Sequence, residues 1–320
     1  MRRRQLIHAS ALATLLPGAA LCARWPEQPL RWVVPFSPGG TTDFVTRMLA
    51  QALAPLLGQS VEVDNVPGRG TVHGVKQVAD APADGYSWLS VTNSLCANET
   101  LVRRLPYRMH DLQPVSAMAR SEHVLVAYPG SGLKNVADIV AQYESGRGLS
   151  YASFGPGSSA HLAGELLKTI LGTPGIVHLP YSGEAPALAQ LLQGKVALMF
   201  GTWPQLRTAI AQGKLNALGV ASEKRSGFAP HLPTLGEQGA SVESASWSGV
   251  MAPAGVDEAV VQQMSQAIAA VFQTQSAQSL LQAHGLVSIA GSTDQFARFL
   301  RSEVKRNADV IYRTGIAFED

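Results

Sequence analysis

The sequence predicts an α/β protein of two units, each a mostly parallel β-sheet flanked by helices. Three observations carry this reading. Short runs rich in branched and aromatic residues alternate with stretches whose apolar residues recur at helical spacing. The strand–helix order of the first part of the chain is echoed, without a fixed period, in the middle. The length, 320 residues, suits two domains of about 100–200 residues each.

The elements follow in order. Leu30 to Phe36 is rich in branched and aromatic residues and reads as a strand. Phe44, Met48, Leu49, Ala52, Leu53 and Leu56 share one helical face, and Gly58 ends that helix. Val61–Val63 and Trp88–Thr92 read as strands, the latter after the turn Asp84-Gly85. In the middle, Val124–Tyr128, Leu149–Ala152, Ile176–Leu179, Ala197–Phe200 and Leu215–Val220 read as strands. Helices are expected over Val136–Tyr143, around Leu162, Leu166 and Ile170, over Ala185–Leu192 and over Leu206–Gln212. Near the end, Val260, Val261, Met264, Ile268 and Val271 share a face. Phe296, Phe299, Leu300 and Val304 share another, behind a capping box from Ser292 to Gln295.

Composition narrows the function classes. Apolar residues make up 46% of the chain, enough for a core, and charged residues only 15%. The net charge is +2, and Arg2, Arg3 and Arg4 account for it; with no basic run in the body, nucleic acid is not an expected partner. Those arginines, the apolar stretch Leu6–Cys22 and the site Leu21-Cys22-Ala23 read as a cleaved export signal over residues 1–23. Arg3-Arg4-Gln5-Leu6-Ile7 also resembles a twin-arginine signal, so Sec and twin-arginine export both stay open. The mature product is expected to be soluble and periplasmic. Cleavage leaves one cysteine, Cys96, read as a buried small apolar residue. The histidines are scattered without ligand spacing, and no Walker loop or G-x-G-x-x-G is present, so neither metal nor cofactor is expected.

Two strand-to-helix loops match in chemistry. The first is Pro35-Phe36-Ser37-Pro38-Gly39-Gly40-Thr41-Thr42-Asp43, and the second is Ser153-Phe154-Gly155-Pro156-Gly157-Ser158-Ser159-Ala160-His161. Each offers glycines, hydroxyls and free N–H groups where a helix begins, an arrangement that favours anions. Neither contains Lys or Arg. Asp43 fits a cap in the first helical turn. If the two halves are separate units, the loops can close on one anionic ligand from opposite sides.

At these residues the chain resembles the substrate-binding proteins of tripartite tricarboxylate transporters, the TctC or Bug type. The resemblance rests on ordered markers: Pro35 to Asp43 for PF-x-PGG-x-x-D, Asp64 to Thr71 for E-N-x-PG-x-GG, and Pro82 to Leu89 for P-x-DGY-x-L. It continues through Tyr151 to Ser158 and His161 to Glu165. Leu179-Pro180-Tyr181-Ser182-Gly183, Gly213–Val220, Lys224-Arg225-Ser226 and Pro233–Glu237 complete it. The resemblance implies a two-lobed periplasmic-binding-protein fold (type II-like) with a hinge between the lobes. The first lobe would hold residues 24–124 plus 248–320 and the second 125–247. It implies a monomer that captures a small carboxylate, partly through ordered water, and delivers it to the integral membrane permease subunits. A sensor protein is the alternative partner. The expected ligand-binding set is Phe36, Ser37, Pro38, Gly39, Gly40, Thr41, Thr42, Asp43, Thr92 and Asn93 from the first lobe. Ser153, Gly155, Gly157, Ser158, Ser159, His161, Tyr181, Gly201, Thr202 and Trp203 complete it from the second.

One departure from the family pattern concerns specificity. Where relatives carry an Asp-Asn pair after Met-Phe, this chain has Gly201-Thr202-Trp203. The loss of that acid argues against an amino-acid ligand, and Trp203 either walls the ligand or packs against its own lobe. The competing enzyme reading is an exported hydrolase using Ser158 or Ser159 with His161, three and two positions apart. It lacks a G-x-S-x-G elbow.

Overall fold

The structure is a computed structural model that describes residues 25–316. The expected signal segment, residues 1–23, lies outside the described residues. The chain runs β1 (Leu30–Val34), α1 (Thr41–Leu57), β2 (Val61–Asn65), α2 (Val72–Ala79), β3 (Ser87–Thr92) and α3 (Asn93–Leu101). A long strand β4 (Leu112–Ala127) leads to α4 (Val136–Glu144), β5 (Ser150–Ser153), α5 (Ser159–Leu171), β6 (Val177–Pro180) and α6 (Glu184–Leu192). Then come β7 (Leu198–Thr202), α7 (Trp203–Ala211), β8 (Asn216–Val220) and β9 (Ala245–Pro253). The chain ends with α8 (Glu258–Gln273), α9 (Gln275–Ala283), β10 (Val287–Ser288) and α10 (Thr293–Thr314).

Two lobes share one long strand. In the first, β2, β1 and β3 run parallel, and β9 and β4 follow antiparallel, with β10 on the β4 edge. In the second, β6, β5 and β7 run parallel and the far end of β4 lies antiparallel between β7 and β8. The long strand therefore makes both sheets mixed. It changes partner between Glu122, which faces Ala245, and His123, which faces Thr202. Three segments are tied there: His123 N–H donates to Ser244 O at 3.1 Å, Ser244 N–H to Ala221 O at 2.9 Å, and Ala221 N–H to His123 O at 2.8 Å.

Alternation along the strands explains the cores. In β1, Trp32 belongs to one core of the first lobe, shared with Leu49, Leu53, Met264 and Ile268; its neighbour Val33 belongs to the other, with Val75, Leu95, Phe296 and Leu300. The second lobe packs its own core around Leu125, Ile139, Leu166, Met199 and Phe200. Cys96 is buried in the first lobe with its sulfur 3.8 Å from Leu300 O; burial pushes its thiol pKa far up. Among the described residues no helix is long and apolar enough to cross a membrane.

Several elements differ from the sequence reading. Only the last part of β4 was expected, because its register slips at Pro114/Ser116 and at Ala117/Ala119. Such bulges break the period-two pattern that marks a strand. Helix α3 was not expected, because Asn93, Ser94 and Asn98 are buried alongside Leu95 and Cys96, so no polar stripe stands out. The helix ending at Gly58 is as expected: that glycine sits at φ 72° and its N–H bonds Ala54 O.

Gly249, in β9, lies directly under the Phe296 ring of α10. A Cβ there would stand 2.2 Å from Phe296 Cζ. Gly249→Ala is expected to destabilise the protein by about 3 kcal/mol, the upper part of the usual overpacking cost. Gly227→Ala, which meets nothing within 4 Å, serves as the control. Denaturant titration measures both; equal stability of the two variants would refute this packing.

Candidate ligand-binding cleft

The carboxyl ends of β1 and β3 in one lobe face those of β5, β6 and β7 in the other, and α1, α3, α5, α6 and α7 begin there. Helix N-termini carry unpaired N–H groups and partial positive charge, so this convergence suits an anion without cationic side chains. The lobes are nearly closed on one another here, and the space left between them is about 20 Å³, room for about one water. Its wall contains Phe36, Ser37, Gly40, Thr41, Thr42, Asp43 and Thr92 from the first lobe, and Ser158 and Ser159 from the second. No Lys, Arg or His lines it among the described residues.

The lobes touch directly across this cleft. Ser37 N–H donates to Ser182 O at 2.9 Å, the two serine hydroxyls lie 2.7 Å apart, and the Thr41 and Thr202 hydroxyls also lie 2.7 Å apart. Asp43 holds the first loop. It accepts from Gly39 N–H at 2.9 Å, from Arg47 Nε at 3.0 Å and from Asn65 Nδ2 at 2.9 Å. Burial works against its ionisation, but the bonds from Arg47, Gly39 and Asn65 outweigh it and hold the carboxyl below its ordinary range. Gly39 sits at φ +88°, a backbone conformation other residues rarely adopt.

The remaining expected residues stand behind the wall. Pro38 and Gly39 shape the first loop. Asn93 Nδ2 donates to Gly157 O at 3.3 Å across the lobes, and Ser153 Oγ accepts from Gly155 N–H at 3.2 Å. Gly155 lets the chain pass Tyr181 O, 3.2 Å from where a Cβ would be. Tyr181 lines a separate depression at the rim with Phe36 and Gly70. Gly201 leaves room for Leu206, and Thr202 reaches the first lobe through its hydroxyl. Trp203 packs on Phe228, ring centroids 5.0 Å apart, and lines a different cavity beside Leu286, outside the loop-lined cleft.

A model of the tripartite tricarboxylate transporter family receptor matches residues 45–316. The chain belongs to this family. It is 35% identical over 296 residues to protein BugT of Bordetella pertussis, covering 91% of this chain and 90% of that one. Among solved structures, R. palustris Rpa4515 with adipate superposes with a TM-score of 0.87 at 34% identity, over 92% of this chain and 99% of the other. The periplasmic binding protein BugD gives a TM-score of 0.87 at 29% identity, over 92% and 100%. Its place in the receptor family makes this chain one of the periplasmic solute-binding proteins.

In this receptor His123, His161 and His178 support the second loop and are not part of the cleft wall. His161 Nδ1 accepts from Gly157 N–H at 3.2 Å, and its ring stacks on His178 at 4.0 Å. Ser158 Oγ accepts from His161 N–H at 3.2 Å as an N-cap. The hydrogen bond between Ser158 Oγ and the His161 ring that a nucleophile–base pair needs is absent from this arrangement. His123 bridges instead: Nε2 lies 3.3 Å from Ser159 Oγ and Nδ1 lies 3.0 Å from Ser244 Oγ, joining the second loop to the strand crossing. Burial lowers the pKa of His123 to about 3 and, with Lys168 nearby, that of His161 to about 4, so both rings stay neutral.

Three wall residues escaped the sequence reading: Phe154, Glu184 and Ser246. Phe154 lies inside the quoted second loop, between two of the expected residues. Ser246 arrives on β9, about ninety positions away, with no local signal. Glu184 is the first residue of α6, where an acid reads as a favourable helix-end charge. An acid at the end of a strand-to-helix turn was the available signal, and its long side chain was the reason to ask where it reached.

Proposed function

We propose that this chain is an extracytoplasmic solute-binding protein that captures a small carboxylate between its lobes and delivers it to a tripartite tricarboxylate-type membrane transporter. One observation carries the reading: the N-termini of α1 and α5, from opposite lobes, line one hydroxyl-rich cleft with no cationic side chain among the described residues. A carboxylate there receives backbone N–H and hydroxyl donors from both sides, directly or through water. The binding of adipate by Rpa4515 supports the same ligand class.

The expected bounds, 24–124 plus 248–320 and 125–247, move by two or three residues to the strand crossing, between Glu122 and His123 and between Ser244 and Ala245, where the hinge lies. The wall residues from the two loops, with Thr92, contact the ligand; Asn93, Ser153, Gly155, Gly157, His161 and Thr202 hold them in place. Residues 1–23 direct export and are removed. Ligand bridges the lobes and shifts an open–closed equilibrium toward the closed form that the transporter recognises.

Thermal unfolding of the mature chain against a panel of mono-, di- and tricarboxylates, with neutral analogues as controls, tests this. A ligand that binds only the folded state raises the melting temperature by mass action. The expected result is a rise with one carboxylate class and none with its amide analogue. A refolded, ligand-free sample that responds to no carboxylate would reject the reading.

A further inference from the structure

Trp203 takes no part in the loop-lined cleft, but the cavity it does line has a chemistry of its own. That cavity holds about 870 Å³, within the range of about 300–1,000 Å³ usual for small-molecule sites. It shares no wall residue with the cleft. Both lobes build it. Trp203 and Phe228 come from the second lobe, Leu281 and Leu286 from the first, and Arg120 and Glu122 from β4 beside the strand crossing. The lobes meet at its edge, where Gly285 lies against both rings: a Cβ there would stand 2.6 Å from Trp203 Cδ1 and 3.1 Å from Phe228 Cδ1. Domain junctions are among the places where small-molecule sites concentrate.

Its charges set this cavity apart. Arg120 and Glu122 are two positions apart on a strand, so they share a face and their backbones are about 7 Å apart. They do not pair. Among the described residues neither side chain has a hydrogen bond or an ion pair. Arg120 is exposed; Glu122 is half-buried, and its Oε2 is shielded from water without a donor. A shielded carboxylate oxygen with no donor is costly, and the broad last torsion of a glutamate lets either oxygen turn toward one. The cavity thus offers one unmatched cation and one unmatched anion at a fixed spacing, beside an aromatic pair and two leucines. A diacid or a diamine there would set one of its charges against its like. An extended dipeptide holds its terminal ammonium and carboxylate about 6 Å apart, close to the strand spacing, and brings side chains for the apolar walls. A single amino acid holds its charges closer together and fills less of the space.

We infer that this cavity is a second ligand site, which takes a dipeptide-sized zwitterion with apolar side chains. The ligand carboxylate pairs with Arg120 and its ammonium with Glu122. Its side chains lie on Trp203 and Phe228 and against Leu281 and Leu286. The site is separate from the cleft and stands or falls independently of carboxylate capture.

Calorimetric titration of the mature, refolded protein with L-leucyl-L-phenylalanine and L-phenylalanyl-L-leucine tests it. At least one of the two is expected to bind. Its amide, which lacks the carboxylate, and its N-acetyl form, which lacks the ammonium, should each bind ten-fold or more weakly. Arg120→Gln should erase the preference over the amide, and Glu122→Gln the preference over the N-acetyl form. If a variant fails to fold, tryptophan emission locates the site: the dipeptide should change it in the wild type and leave it unchanged in Trp203→Phe. An equal change in both proteins overturns the proposal. So do silence toward both dipeptides, analogues that bind as tightly as their parent, and preferences that survive in both folded variants. None of these outcomes bears on the carboxylate panel above, which probes the other cavity with other ligands.

Discussion

Gly40→Val in the mature chain is expected to fold normally and to lose about 100-fold in affinity for its carboxylate. Gly40 lies at φ −83°, which any L-residue adopts, so the substitution does not strain the loop itself. A Cβ at this position would stand 3.5 Å from Glu184 Cβ, ordinary contact, and the two valine methyls extend beyond it toward the start of α6. The conflict therefore exists only when the lobes close. A hundred-fold loss corresponds to about 2.7 kcal/mol, within the usual cost of overpacking one or two carbon atoms. Because the open form escapes the conflict, the melting temperature without ligand should stay put while the ligand-induced rise disappears. Gly40→Ala, limited to the Cβ, should retain most of the affinity. Gly39 is the poorer test position: at φ +88° any side chain strains the loop in both forms. A folded Gly40→Val protein that binds like the wild type would remove closure across α1 and α6 from the mechanism.

Acidification from pH 6.5 toward pH 4 should destabilise the folded protein steeply. His123 and His161 titrate near 3 and 4 in the folded chain, chiefly because burial disfavours the charged ring. His178, stacked on His161 and 2.6 Å from Ser153 Oγ, is lowered to about 3 for the same reason, reinforced by His161. Unfolded histidines titrate at about 6.5. Between those limits the unfolded chain binds protons that the native chain does not, so stability rises with pH across the window. Their contribution is fully present above about pH 6.5 and is lost as pH falls toward the folded values. Each fully buried ring contributes a slope of up to about 1.4 kcal/mol per pH unit. Glu184 and Glu99 work the other way. Burial raises both carboxyls, so the folded chain takes up their protons first. Variants separate the terms. His161→Gln keeps an acceptor for Gly157 N–H and removes one titrating ring, so urea denaturation across pH 4–7 should show a slope shallower by up to one proton. An unaltered slope would mean that His161 is not held neutral.

What could be read in the sequence was whatever local physics decides. Trp32 and Val33 alternate faces because a strand has period two, and Gly58 stops α1 because only glycine enters its left-handed turn without strain. The two glycine- and hydroxyl-rich loops were legible for the same reason. Closeness to a helix terminus is a property of neighbours in sequence, and the structure places both loops on one cleft. The bulged first part of β4 and the polar helix α3 were illegible, because the pattern that reveals such elements had been erased by register slips and by buried polar residues.

The rest was decided by tertiary structure. Trp203 and Thr202 are adjacent, yet one packs on Phe228 away from the loops while the other crosses to Thr41. Ser244 and Ser159 meet through His123 from three separate segments. Most consequential is Glu184, which in sequence is an ordinary first-turn acid and in space is a buried wall residue of the cleft that bonds Thr202 in its own lobe and Thr41 in the other. The sequence by itself determined the class of fold and the donors offered to an anion, since both follow from residues within a few positions of one another. Which long side chains enter the cleft depends on how two lobes meet.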